Sequence, residues 1–282
     1  MHWIGVAAAS AAALGIVAYG VVYALSEHIL RRTYKIPTVA VPIPTDPADI
    51  VEGRRLALVH GCFNDCHGSQ GEGRVMFDQP AIARIVAPNL TRAVRNYSDA
   101  QLAAIIRQGV RPTGRSVLAM PCEAFVALTD ADLGRIIAYT KSLPVTEGPG
   151  PSVSLGPVGR IGLVAGKLKT AAQLIAEDVT PTEATNEEAA RGRYLARTTC
   201  ASCHGSDLRG ASNPEFTSPS LQVVAAYSPQ AFTELLRTGT ALGGRELPVM
   251  SPRARQNLSY LTDAEITALY DYLHALPGGA QH

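Results

Sequence analysis

The chain has 282 residues, 46% of them hydrophobic, and carries 25 Lys and Arg against 24 Asp and Glu for a formal net charge of +1. That length accommodates two modest domains, and so balanced a charge gives no electrostatic pull toward nucleic acid. The five cysteines, Cys62, Cys66, Cys122, Cys200 and Cys203, are an odd set whose spacing does not read as a disulfide framework.

In chain order, the first predicted element is a helix. Trp3 to Leu25 carries no charge over 23 residues, enough to cross the roughly 30 Å hydrocarbon core of a bilayer. Trp3, Tyr19 and Tyr23 stand toward its ends, where interfacial aromatics are favoured. No Lys or Arg precedes the run and no convincing small-x-small cleavage site follows it. Residues 1–30 therefore read as a transmembrane signal-anchor, with residues 3–25 in the lipid bilayer, in preference to a cleaved signal peptide. Arg31, Arg32 and Lys35 follow it, and by charge alone they would keep that side cytoplasmic. Residues 31–47, with four prolines between 35 and 47, read as a semi-rigid extended spacer.

Residues 200–204 read Cys200-Ala-Ser-Cys203-His204, the C-x-x-C-H attachment signature of c-type haem. The two thiols bond to haem vinyl groups and the adjacent imidazole becomes an axial iron ligand. A zinc site would want a second Cys/His pair, which the chain lacks, and a redox dithiol would want a βαβ context. Earlier, Cys62-Phe-Asn-Asp-Cys66-His67 nearly repeats the signature, with one residue too many between the cysteines.

Self-comparison resolves that irregularity. "EGRRLALVHGC" (52–62) matches "ARGRYLARTTC" (190–200), "APNLT" (87–91) matches "SPSLQ" (218–222), and "YSDAQLAAIIRQGV" (97–110) matches "YSPQAFTELLRTGT" (227–240). "SVLAMP" (116–121) and "ELPVMS" (246–251) follow, then "LTDADLGRIIAYTKSLP" (128–144) and "LTDAEITALYDYLHALP" (261–277), at offsets between 130 and 138 residues. The chain reads as a duplicated domain, 48–145 and 186–278. Cys62, Cys66 and His67 then correspond to Cys200, Cys203 and His204, giving two covalently attached haem c groups.

Each copy is predicted to be helical with long loops, and nothing reads as a sheet. Ser98 with Gln101, Thr129 with Asp132 and Thr262 with Glu265 are spaced as capping boxes, and Ser228-Pro229 suits a helix start. Leu133, Ile136, Ile137 and Tyr139 form one amphipathic face, Ile266, Leu269, Tyr270 and Leu273 another. Pro144 and Pro277 end these helices. Met120 and Met250 fall at matched positions, 53 and 46 residues after their histidines. Methionine is a sixth ligand that raises haem potential, so both are candidate axial ligands. Met76 has no counterpart and reads as a loop or packing residue.

On these motifs each copy resembles a class I cytochrome c domain, and the whole resembles a membrane-anchored dihaem cytochrome c. The resemblance implies an all-α fold: two tandem class I cytochrome c-like domains after an N-terminal transmembrane helix. It also implies that Pro88 and Pro219 give their carbonyls to the proximal histidines. A close crossing of first and last helices would pair Gly53 with Tyr139, and Gly192 with Tyr270 or Tyr272. Finally it implies haem attachment outside the cytoplasm, which places a single-pass protein in a bacterial inner membrane with its haem domains on the periplasmic side, against the basic flank. Such a protein is no enzyme itself. It moves single electrons between respiratory-chain components, as a relay or as a subunit beside a dehydrogenase or oxidase.

Two features stay open. Cys122, two residues past Met120, reads as a buried small hydrophobe or as a thiolate ligand in a dihaem enzyme of the thiosulfate dehydrogenase or peroxidase type. Residues 146–185 read as an interdomain linker, with 160–179 as an extra helix that packs between domains or docks a partner.

Overall fold

The computed structural model describes residues 2–35, 40–178, 187–212 and 217–276. Parts of both predicted linkers (36–39 and 179–186) and the stop expected at Pro277 lie outside the described residues.

Helix α1 (His2–Arg31) is long and apolar enough to cross a membrane. Its last turns behave differently from the rest. Ser26 is fully buried, and Ile29 and Leu30 pack against Ala83, Leu118, Leu155 and Leu163 of the body. From α7 (Pro157–Val164), Arg160 lies over the Tyr23 ring at 4.0 Å from its centroid. It also donates to Ser26 Oγ at 2.7 Å and pairs with Glu27 at 2.9 Å. The apolar helix is thus continuous with a docked collar. The residues after it are likewise packed: Tyr34 donates to the Gly114 carbonyl, Val41 is buried in the first core, and the Pro42 carbonyl fills the space a side chain at Gly134 would need. What reads as a semi-rigid extended spacer is, where described, a strap on the surface.

The first half is built on α2 (Pro47–Val59), α3 (Leu90–Asn96), α4 (Asp99–Gln108), the single turn α5 (Cys122–Phe125) and α6 (Asp130–Ser142). Local chemistry explains the starts. The Asp46 carboxylate accepts from the Ala48 N–H ahead of α2, Ser98 and Gln101 form a reciprocal capping box on α4, and Thr129 accepts from the Asp132 N–H on α6. Leu133, Ile136 and Ile137 are buried against Leu56, Ala57 and Phe63. Helices α2 and α6 cross closely at Gly53, where any Cβ would collide with the Arg135 carbonyl and press on Tyr139.

The expectation that nothing forms a sheet is corrected. β1 (Arg74–Gln79), β2 (Ala83–Ala87) and β3 (Ser152–Leu155) make a three-stranded antiparallel sheet in that order. The body is mostly helical without being all-α. The first two strands are a short hairpin around Pro80, with Arg84 opposite Asp78 and a register irregularity between Val75 and Phe77 that leaves Met76 exposed. The third strand comes from the predicted linker, about 70 residues downstream, and a non-local pairing leaves no periodic trace in a single sequence. The predicted helix over 160–179 is two helices, α7 and α8 (Ala171–Ala176), separated by a turn at Gly166 with φ +69°. Helix α8 starts at a Thr170–Gln173 capping box and sets Ala171 against Gly109 and Cys122. This stretch wraps the first half.

The second half repeats the plan: α9 (Glu187–Leu195), α10 (Ala201–His204), a 3₁₀ turn at Leu221–Ala226, α11 (Pro229–Thr238), α12 (Met250–Gln256) and α13 (Asp263–His274). Two short ladders, β4 (Ala211–Ser212) with β5 (Thr217–Ser218) and β6 (Thr240–Ala241) with β7 (Arg245–Glu246), complete it. Gly192 meets the Ala268 carbonyl and Tyr272 as Gly53 meets Arg135 and Tyr139, so Tyr272 is the partner, and Tyr270 instead donates to the Tyr227 carbonyl at 2.9 Å.

Equivalent positions face one another across the boundary between halves, as they do about a two-fold axis. His60, two residues before Cys62, places Nδ1 3.1 Å from the carbonyl of Thr198, two residues before Cys200. Arg55 pairs with Glu265 at 2.8 Å, and in the reverse sense Tyr194 donates to Asp132; these carboxylates hold matched positions on the last helices. Val59 enters the second core and Tyr194 borders the first. Asn257 Nδ2 donates to the Leu58 carbonyl at 2.8 Å.

Two outcomes are expected. Gly53→Val should lower stability by about 2 kcal/mol or more, read as the thermal midpoint, whereas Gly150→Ala, with open space around it, should leave the midpoint unchanged. His60 is held neutral, because burial pushes its pKa from 6.5 down to about 4. The unfolded chain binds that proton first, so the stability His60 contributes is complete above pH 6.5 and is lost as pH falls toward 4. In His60→Gln, the loss of stability between pH 6.5 and pH 4 should shrink by about 3 kcal/mol; an unchanged pH slope would contradict this placement.

Candidate functional site

In the second half the motif is helical. Cys200 closes a π turn (Ala196–Cys200), and α10 carries Cys203 and His204 to Gly205, whose φ of +82° turns the chain away. His204 Nδ1 lies 2.9 Å from the Pro219 carbonyl. Since a carbonyl only accepts, Nδ1 carries the proton and Nε2 is left with its lone pair. Six residues on, Gly210 (φ +97°) donates its N–H to the His204 carbonyl at 2.8 Å. A Cβ there would run into Ser218 and Pro219, so this glycine is what lets the proline strand approach the histidine.

The first half reproduces each part. His67 Nδ1 lies 2.8 Å from the Pro88 carbonyl. Gly73, also six residues on and with φ +82°, donates to the His67 carbonyl at 2.7 Å and leaves room for Ala87 and Pro88. The Gly71 carbonyl accepts from Leu90 as the Leu208 carbonyl accepts from Leu221. The motif reading did not single out Gly73 and Gly210, although a glycine at the same distance from both histidines was a visible signal.

The extra residue is absorbed locally. Phe63 is extended (φ −104°, ψ 162°) and Asn64 takes a positive φ of 66° with ψ −56°, so the chain bulges between the thiols. The His67 N–H still returns to the Cys62 carbonyl at 3.0 Å. Phe63 turns inward, 1% exposed, edge-on to Tyr139 with centroids 5.3 Å apart. Asp65 turns outward to an ion pair with Arg253 of α12.

The four motif thiols are free and partly covered. Burial pushes Cys62 up to about 12 and Cys200 to about 11, and also raises Cys66. Cys62, Cys66 and Cys200 are therefore neutral thiols. A thiol adding across a vinyl group gives a thioether, so the donor set fits covalent haem: two thiols and an imidazole with Nε2 available on each side. Among the described residues no cluster of His, Cys, Asp and Glu is placed to hold a bare metal ion. Met120 and Met250 are each half-buried at the margin of their half's core, Met250 as the first residue of α12. Cys122 is fully buried, and its Sγ donates to the Ile105 carbonyl at 3.4 Å beside Val117 and Ala171. Burial raises its pKa as well, so it packs as a protonated thiol.

Comparison with known proteins agrees with this geometry. Residues 189–277 match the cytochrome c family model. The chain is 27% identical over 274 residues to the fructose dehydrogenase cytochrome subunit of Gluconobacter japonicus, covering 87% of this chain and 56% of that one. It is 24% identical over 255 residues to the cytochrome c subunits of quinone alcohol dehydrogenases from Gluconacetobacter polyoxogenes and Komagataeibacter europaeus, covering 79% of this chain and 54% of each. The chain thus spans about half the length of these relatives. The similarity to them extends well beyond the half that matches the family model. On the motif, its cradle and this match, residues 189–277 resemble a domain of the cytochrome c family.

Proposed function

We propose that the chain is a membrane-anchored dihaem c-type cytochrome that carries single electrons as the cytochrome subunit of a dehydrogenase complex. The observation that carries this reading is the repetition of the whole histidine cradle, His67–Pro88–Gly73 and His204–Pro219–Gly210, in both halves. On this reading residues 48–145 and 186–278 are the two haem domains. Cys62 and Cys66, then Cys200 and Cys203, would hold the macrocycles by thioether bonds; His67 and Met120, then His204 and Met250, would ligate the irons. Haem so bound supplies an iron that gains and loses one electron with little rearrangement. The protein's part is to fix each imidazole by its Nδ1, to bury the site and to exclude a substrate from the sixth position.

The relatives favour a dehydrogenase as electron donor, one that oxidises a sugar or an alcohol, over a free relay to an oxidase. The docking of Ile29, Leu30 and Ser26 against the body supports retention of α1 as an anchor, since a cleaved leader would leave that surface bare. Haem attachment then puts the body on the periplasmic side despite Arg31, Arg32 and Lys35. Of these, Arg31 is paired with Glu27. The packed Cys122 thiol gives no support to the thiosulfate dehydrogenase or peroxidase alternative.

In the purified holoprotein, every haem should be low-spin with a methionine-to-iron charge-transfer band, and thiosulfate and peroxide should not turn over. Met250→Ala and Met120→Ala should each remove that band from half of the haem and lower one potential. A high-spin or thiolate-ligated iron in the unaltered protein would overturn the reading.

A further inference from the structure

The extra residue in the first motif has a consequence in the second half. It produces the bulge at Asn64 and presents Asp65, the residue just before Cys66, to Arg253. Arg253 stands one turn after Met250 on α12. Its guanidinium lies in a notch at Gly61, whose φ is +72° and where a Cβ would collide with Nη1. The pair is three-quarters covered, with side chains 25% and 23% exposed. It therefore joins the attachment loop of one site to the methionine helix of the other in a poorly screened position.

We propose that the Asp65–Arg253 pair orders the two sites in potential, so that electrons pass from the site of Cys62, Cys66 and His67 to the site of Cys200, Cys203 and His204. This rests on the two-haem reading above. A nearby cation stabilises the reduced iron and raises its potential; a nearby carboxylate does the reverse. Arg253 is a shared cation: its charge acts on the thiols of Cys62 and Cys66 and also on Cys200. Asp65 stands next to Cys66, where its charge outweighs that of Arg253, with Arg74 a smaller third influence; at Cys62 Arg253 outweighs Asp65. In the second motif the residue before Cys203 is Ser202, which carries no charge to oppose Arg253. The carboxylate thus opposes the shared cation beside Cys66 and has no counterpart in the second motif, holding the first site lower than the second.

The test is a site-resolved potentiometric titration of the full-length holoprotein, with the two sites assigned by the Met120→Ala and Met250→Ala spectra. Asp65→Asn should raise the first site and leave the second nearly unmoved, shifting the distribution of a single electron toward the first site about tenfold. Arg253→Gln should lower the second site, and Arg253→Lys should restore it, which a merely structural loss of the pair would not do. If Asp65→Asn fails to load haem at the first site, the Gln and Lys variants at 253 decide alone through the second. Equal shifts at both sites in Asp65→Asn, or an unmoved second site in Arg253→Gln, would overturn the proposal. A single titrating haem in the unaltered protein would instead overturn the two-haem reading.

Discussion

An imidazole whose Nδ1 is spent on a carbonyl has one nitrogen left to give, and its ring plane is set before any ligand arrives. Both halves of this chain are organised to impose that constraint. The carbonyl must come from proline on a strand that passes close to the histidine, and only a glycine with positive φ lets it pass so close. Gly73 and Gly210 meet that requirement at the same distance from His67 and His204. The first and last helices of each half, crossing at Gly53 and Gly192, form the floor on which the motif stands. Pre-setting the ring in this way is what an electron carrier needs, because an iron whose ligands do not move has little reorganisation to undergo.

The second organising feature is the boundary between the halves. It is lined by the segments that lead into the two motifs, by the first motif itself and by α12 with the residue after it, so His60 and Thr198, Leu58 and Asn257, Asp65 and Arg253 meet across it. A neutral histidine and an ion pair are held there largely away from water, where charges act over longer distances. Two sites sharing such a boundary sense the same charges, and Asp65 is an asymmetric one. The duplication therefore yields two similar sites that need not be equal.

Much of this was legible from residue patterns. The duplicated order of motifs located both histidines, both prolines and the capped helix starts at Ser98, Thr129, Ser228 and Thr262, because those features are local and chemical. What stayed hidden was non-local. Strand β3 pairs with β2 from the far side of the first half, and Val41 and Pro42 lie against α6 at Gly134 though this stretch reads as a semi-rigid extended spacer. Helix α7 seizes the end of α1 through Arg160, a residue with no pattern around it. The extra residue at Asn64 was visible as an anomaly, but its partner Arg253 lies 188 residues away. The C-x-x-C-H half matches the family model; the other carries the irregular motif and the hairpin.

The central claim is that both halves, the irregular one included, attach haem. Intact-mass measurement of the full-length holoprotein tests it most directly, beside Cys62→Ser/Cys66→Ser and Cys200→Ser/Cys203→Ser variants. The account predicts a mass increment of two haems for the unaltered chain and one for each variant. A single haem on the unaltered chain, lost only with Cys200 and Cys203, would contradict it and leave the first half as a haem-free partner to a lone cytochrome domain.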